Sequence, residues 1–193
     1  MADLVLKMSI SIDGFVAAAR PDSDWMFRGS TPDSAAWVRD VLAGAGTHVV
    51  GRRLFETWIG LWPTSESPMA APINDAPKVV VTRQADFDLA GLSAGISPSS
   101  GPASWAETRV VTELGEIERL KAEPGDYLLA QGGVSFARSL IAAGLVDEYR
   151  FAVLPVVLGS GEALFAGLPG ELDLQLVSST VFAGGAMGNV YRP

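Results

Sequence analysis

Apolar and polar positions along this chain follow two periods, and the switches between them mark out the elements. Leu4 to Ile12 alternates and is rich in Leu, Val and Ile, which predicts a strand stopped by the turn signal Asp13-Gly14. Phe15 to Ser30 is irregular, with Pro21, several aspartates and Trp25, and predicts a loop long enough to close over a ligand. Thr31, Pro32 and Asp33 open a helix as N-cap, first position and first-turn acid, with Ala36, Trp37, Val41 and Leu42 on its apolar face. It stops near Gly44 and Gly46. Thr47 to Val50 predicts a second strand, closed by Gly51, and Arg52 to Trp62 has helical spacing at Leu54, Phe55, Trp58 and Ile59. Pro63 to Pro77 reads as a Pro/Ser/Ala-rich loop, and Lys78 to Thr82 as a third strand followed by Arg83. Residues 85–106 are mostly turn-like and give no element. Thr108 to Thr112 predicts a short strand, and Glu113 to Ala122 a helix before Pro124-Gly125.

The stretch from Tyr127 to Ala143 organises the rest. Tyr127 to Ala130 is an apolar run suited to a strand buried on both faces, and Gln131 with Gly132-Gly133 interrupts it. A helical pattern then places Val134, Phe136, Ala137, Leu140 and Ile141 on one face and ends at Gly144. A strand that turns through two glycines into a helix exposes bare backbone N–H groups at the positive end of a helix dipole. That arrangement fits an anion, and equally a tight turn with no ligand. Beyond Gly144 the pattern is strands alone: Asp147 to Leu158 with a bulge or edge at Pro155, a hairpin turn at Gly159-Ser160-Gly161, then Leu172 to Val181 and Met187 to Tyr191. Strands alternating with helices, then strands alone, predict a single α/β domain over 1–193. Its three-layer sheet is mostly parallel, with antiparallel C-terminal strands.

Three predicted strand ends carry the candidate chemistry: Gly51-Arg52-Arg53, Thr82-Arg83 and Gln131-Gly132-Gly133. In an open parallel sheet all three lie on the carboxyl edge, where ligands bind. The net charge is −8, so three arginines gathered at one edge stand out against an acidic background. The arginine fork suits phosphate oxygens, which weighs the edge toward a phosphate-bearing ligand rather than solvated ion pairs. The same charge argues against nucleic-acid and membrane-surface partners. With no cysteine, disulfides, zinc–thiolate sites and a catalytic thiol are excluded, and a reducing cytoplasm is the expected compartment. The N-terminus does not have the charged-then-apolar order of a signal peptide, and no apolar run has membrane-spanning length. His48, the single histidine, lies inside a strand, which suits a core residue and supports neither a metal cluster nor a Ser-His-acid set. Neither the G-x-G-x-x-G fingerprint nor the G-x-x-x-x-G-K-[ST] loop is present.

S-x-D-G after the first strand, V-V-G-R-R-x-x-E after the second, V-V-V-T-R after the third and L-L-A-Q-G-G-V-S-F before the long helix resemble the dihydrofolate reductase-like fold. Gly144-Leu145-Val146-Asp147-Glu148, followed by L-P-V-V-L-G-S-G from Leu154 and by Leu164-Phe165, resembles more closely the C-terminal reductase domain of the bacterial riboflavin-biosynthesis deaminase/reductase. The resemblance implies an NADPH-dependent reductase of a small planar substrate. Gly51, Arg52 and Arg53 would lie at the cofactor phosphates, Thr82 and Arg83 near the adenosine 2′-phosphate, and Gln131, Gly132, Gly133, Val134 and Ser135 against the pyrophosphate. Ser9, Ser11 and Asp13 to Ala17, including Val16 and Ala17, would border the nicotinamide, with Val16 to Trp25 as a mobile loop.

On the substrate side the resemblance suggests a first-helix carboxylate, for which Asp33 is the nearest candidate, and Asp13 in the turn after the first strand is a second catalytic candidate. Helix capping is the favoured account of Asp33, and turn formation accounts for Asp13 equally well. Trp25, Phe27, Trp37, Phe55 and Trp58 include candidates for a wall against a flat ring, and the last three also suit a helix core. Two further readings stay open: the ribosylated-pyrimidine reductase step itself, and a nucleotide-binding protein that has lost catalysis. The resemblance also implies a homodimer through the C-terminal strands, with Phe151 to Leu158 and Leu174 to Phe182 as available surface.

Overall fold

The alternation from Leu4 becomes a strand in the computed structural model, which describes residues 1–20, 23–84, 86–96 and 105–193. In chain order the elements are β1 (Leu4–Ser11), β2 (Phe15–Ala18), α1 (Pro32–Ala43), β3 (Thr47–Gly51), α2 (Arg52–Leu61), α3 (Ala70–Asp75), β4 (Lys78–Val81) and α4 (Leu89–Ser93). There follow β5 (Arg109–Val111), α5 (Gly115–Ala122), β6 (Leu128–Gln131), α6 (Val134–Ala142), β7 (Glu148–Leu154), β8 (Gly161–Ala163), β9 (Gln175–Val181) and β10 (Met187–Arg192). They gather into two units: Met1–Asp3 with Arg39–Gly133, and Leu4–Val38 with Val134–Pro193.

Among the described residues, the first unit holds the strands β5-β4-β3-β6 in that order, each pair parallel. β3, β4 and β6 are short and mostly buried, rich in Val, Leu and Ala but also carrying His48, Lys78 and Gln131, whereas β5 at the end of the order leaves Arg109 and Val110 exposed. The helix α2 turns Phe55, Trp58 and Ile59 inward, α3 buries Ala70, Ile73 and Asn74, and α5 buries Ile117 and Leu120. Phe55 packs on Trp105 with ring centroids 5.8 Å apart. Each large apolar side chain buried this way contributes about 1.5–3 kcal/mol.

The second unit holds β1-β7-β10-β9, with β1 and β7 parallel and the other two pairings antiparallel. The mostly parallel arrangement with antiparallel C-terminal strands is therefore present. Trp25, Leu154, Val156, Phe182 and Ala186 form a core with Trp37 against it. Gly188 lets that core close, since a Cβ there would stand 2.8 Å from the Trp37 ring. The buried Glu148 carboxylate accepts from Arg150 Nε at 2.7 Å and Arg192 Nε at 2.9 Å, tying the end of β10 to the start of β7.

Several elements differ from the sequence pattern for local reasons. Phe15–Ala18 is strand β2, paired antiparallel with β8, so the expected loop is part strand, and Gly159-Ser160-Gly161 leads into β8 rather than closing a hairpin. Trp25 is buried at the start of a short 3-10 helix, Trp25–Phe27, and is core rather than loop. Residues 21 and 22 of the expected mobile loop, and residues 85 and 97–104 of the turn-like stretch, lie outside the described residues; α4 occupies part of that stretch. α3 lies within what reads as loop. β7 ends at Leu154, before Pro155, whose missing N–H cannot continue the ladder.

Candidate functional site

In the first unit the sequence-predicted edge is physically one edge. β3, β4 and β6 are parallel and in near register, with Gly51 opposite Val81 and Val50 opposite Gln131. Gly51-Arg52-Arg53, Thr82-Arg83 and Gln131-Gly132-Gly133 therefore all leave the sheet on the same side. Gly51 caps α2 with extended backbone and no side-chain hydrogen bond, and no acid sits in the helix's first turn, so its N-terminal amides face no competing carboxylate there. Arg52 Nη1 donates to Glu56 Oε1 at 2.7 Å, one turn along the helix, while Arg53 and Arg83 are exposed. Thr82 is buried; its Oγ1 accepts the Gln84 amide at 3.1 Å and its amide donates to the Val111 carbonyl.

Gly132 and Gly133 both have positive φ, 54° and 64°. A Cβ on Gly132 would stand 2.6 Å from Leu54 Cδ2, so α2 packs directly against the turn. Two successive left-handed residues without side chains let another group approach their backbone closely, as binding of an anion requires. Behind the turn lies a buried polar network. His48 Nδ1 is 3.2 Å from Gln131 Nε2, and His48 Nε2 is 3.2 Å from the Pro72 carbonyl. Lys78 Nζ donates to the Asn74 carbonyl at 2.7 Å and lies 4.5 Å from the centre of the Trp105 ring, whose Nε1 donates to Asn74 Oδ1 at 2.8 Å. Burial pushes the Lys78 amine down to about 7 and the His48 ring down to about 4. His48 is thus a core residue, as its place in a strand suggested.

In the second unit, Ser9 lies on the polar side of β1, with Lys7 Nζ 3.5 Å from its Oγ. Lys7 is a site candidate that the motifs missed. Its signal was the alternation Lys7, Ser9, Ser11 against Leu6, Met8, Ile10. Burial lowers the Lys7 amine to about 8. Val16 is buried and Ala17 half-buried in β2, and Val134 and Ser135 open α6.

Both candidate carboxylates are tied to backbone. Asp13 accepts from Ser11 Oγ at 2.6 Å, from the Leu158 amide at 3.1 Å and from the Gly159 amide at 2.7 Å. The Ser11 hydroxyl, then these amides, hold its carboxyl down to about 2. Asp33 accepts from the Thr31 hydroxyl, the Ser34 amide and the Ala183 amide, and the Thr31 bond leads in lowering its pKa. Among the candidate ring-stacking residues, Trp37, Phe55 and Trp58 pack inward and only Phe27 stays largely exposed, at 74%.

The family model for the RibD C-terminal domain matches residues 2–187. The chain belongs to that family. Within reach of this RibD C-terminal domain is the uncharacterized protein YyaP of Bacillus subtilis strain 168, 28% identical over 195 residues, covering 98% of this chain and 94% of YyaP. Among solved structures, the putative riboflavin biosynthesis protein from Shewanella sp. PV-4 has a TM-score of 0.70 at 20% identity, covering 100% of this chain and 98% of that one. Dihydrofolate reductase from Enterococcus faecalis, solved in complex with NADP(H), has a TM-score of 0.58 at 16% identity, covering 98% and 95%. The RibD C-terminal domain here thus has the dihydrofolate reductase-like fold. Among the described residues no helix is long and apolar enough to cross a membrane, and no group of three or more His, Asp or Glu is arranged to hold a metal ion.

Proposed function

We propose that this protein is an NADPH-dependent reductase of a small planar substrate. The observation that carries the reading is the shared carboxyl edge of β3, β4 and β6. There a helix N-terminus without a side-chain cap, three arginines and two bare left-handed glycines lie on one side of one sheet. These residues fit a dinucleotide phosphate. Gly132 and Gly133, with Gln131, Val134 and Ser135, would meet the pyrophosphate; Gly51, Arg52 and Arg53 would neutralise phosphate charge; Thr82 and Arg83 would hold the adenosine 2′-phosphate. Ser9, Val16 and Ala17 would border the nicotinamide. NADPH, when bound, supplies a hydride, and the protein must orient an acceptor and deliver a proton.

Asp13 and Asp33 stay in the proposal as ionised groups. Their lowered pKa values suit accepting a hydrogen bond from substrate and disfavour giving up a proton near neutral pH. Lys7 suits the proton transfer better. The residue is half-buried on β1 with its amine beside Ser9, and burial lowers that amine to about 8, so it is protonated at pH 7 and able to release a proton just above it. The family match over residues 2–187 supports reading the chain as one domain, and a homodimer through the C-terminal strands, with β9 exposed, in a cytoplasmic protein completes the proposal.

Titration with NADPH and with NADH, followed by tryptophan fluorescence in the wild type and Arg83→Ala, tests the cofactor assignment. The expected result is saturable NADPH binding, weakened about tenfold in the variant, with NADH weak in both. Absence of saturable binding by either nucleotide would remove the reading.

A further inference from the structure

Beneath the Gly132-Gly133 turn, the direction of one amide can be followed atom by atom. The Pro72 carbonyl has no proton to give, so its contact with His48 Nε2 requires the ring proton on Nε2. His48 is fully buried and its ring is held neutral, which leaves Nδ1 bare and able only to accept. Gln131 is also buried and meets Nδ1 at 3.2 Å, so it must present its NH2 group there and turn Oε1 the other way. A carbonyl of α3 thus fixes a histidine tautomer, and the tautomer fixes a glutamine. Gln131 is the last residue of β6, and the next two residues, with φ of 54° and 64°, carry no side chains to steady their own backbone. What steadies them from the first unit is Leu54 on one side and the anchored Gln131 at their root.

We propose that His48 is a positioning residue for the cofactor pyrophosphate: acting through the Gln131 amide, it sets how the Gly132 and Gly133 N–H groups are presented at the sheet edge, and touches no ligand itself. The inference rests on reading that edge as a dinucleotide site. It differs from a packing role in depending on one ring nitrogen. Asparagine places its Oδ1 where Nδ1 stands and keeps the acceptor for Gln131. Glutamine reaches toward the Nε2 position and keeps only the contact with Pro72.

The test compares wild type, His48→Asn, His48→Gln and His48→Leu. The backbone amide resonances of Gly132 and Gly133 are recorded without ligand, and dissociation constants are measured for NADPH and for adenosine 2′-phosphate, which has no pyrophosphate. His48→Asn is expected to keep the glycine resonances and bind NADPH within twofold of wild type. His48→Gln and His48→Leu should shift those resonances and weaken NADPH about tenfold, with adenosine 2′-phosphate changed less than twofold. Unmoved glycine resonances in His48→Gln, equal losses in the Asn and Gln variants, or equal losses for both ligands would overturn the proposal. If wild type binds no NADPH the cofactor reading falls. The ligand-free resonances then still decide whether His48 governs the turn, and the Asn–Gln comparison does so even if His48→Leu fails to fold.

Discussion

Lys7 is where a single residue decides most. An ammonium on an apolar strand is tolerated only at a cost in hydration, and here that cost appears as an amine that gives up its proton near pH 8 rather than above 10. If it is the proton donor, kcat/KM in the wild type should fall as pH rises past about 8. Lys7→Met should lose at least about 100-fold in rate and flatten that limb, while the NADPH dissociation constant stays within about threefold. A wild-type profile level to pH 9.5 would assign the proton elsewhere. The arginines and glycines of the edge were legible in the sequence because each directly follows an apolar run, so position alone placed them. Lys7 was equally visible in its alternation but sits mid-strand, where no motif draws attention. The backbone ties of Asp13 to 158–159 and of Asp33 to Ala183 were not legible, since each spans 145 or more positions.

At the scale of elements, the His48 network joins β3, α3 and β6 and makes their association sensitive to acid. A histidine held at about 4 in the fold and near 6.5 when unfolded binds its proton more readily in the unfolded chain. Stability from this group is therefore complete above pH 6.5 and is lost as pH falls toward 4, by on the order of 3 kcal/mol. The charged group facing the ring is Lys78, whose ammonium opposes protonation of His48, with Asp75 acting in turn on Lys78. Lys78 titrates at about 7 in the fold, so its own loss falls between pH 10.5 and 7, outside the histidine window. Urea unfolding at pH 7 and pH 4.5 should show this loss in wild type and about 2 kcal/mol less of it in His48→Asn. Equal losses in the two proteins would mean other groups carry the acid sensitivity. α3, which supplies the Pro72 carbonyl, was hidden because a six-residue helix among Pro68, Pro72 and Pro77 has too few turns to display a period. β2 and β8 were missed for a related reason: four and three residues are too few to show alternation.

For the whole molecule, the exposed strand β9 bears most directly on assembly. Leu176, Val177 and Val181 are 58%, 57% and 72% exposed on a strand at the end of its unit's sheet order. Such an edge invites pairing with another chain. Light scattering should find a species of twice 20.2 kDa, and Leu176→Lys with Val177→Lys should shift it to 20.2 kDa without loss of NADPH binding. A wild type found only at 20.2 kDa would sink the dimer. The succession of strands and helices, and hence the fold class, was legible because it depends on local periods, whereas division into two units depends on which distant segments meet. That division has a consequence for how the protein is made. Nearly all of the first unit is the continuous run Arg39–Gly133, complete once its last strand has left the ribosome. β1 is synthesised first, yet its partner in the second unit, β7, begins 143 residues later, with Val5 opposite Glu148. At about 5–20 residues per second that strand waits roughly 7–30 s for β7, so this pairing closes long after its first strand has been made.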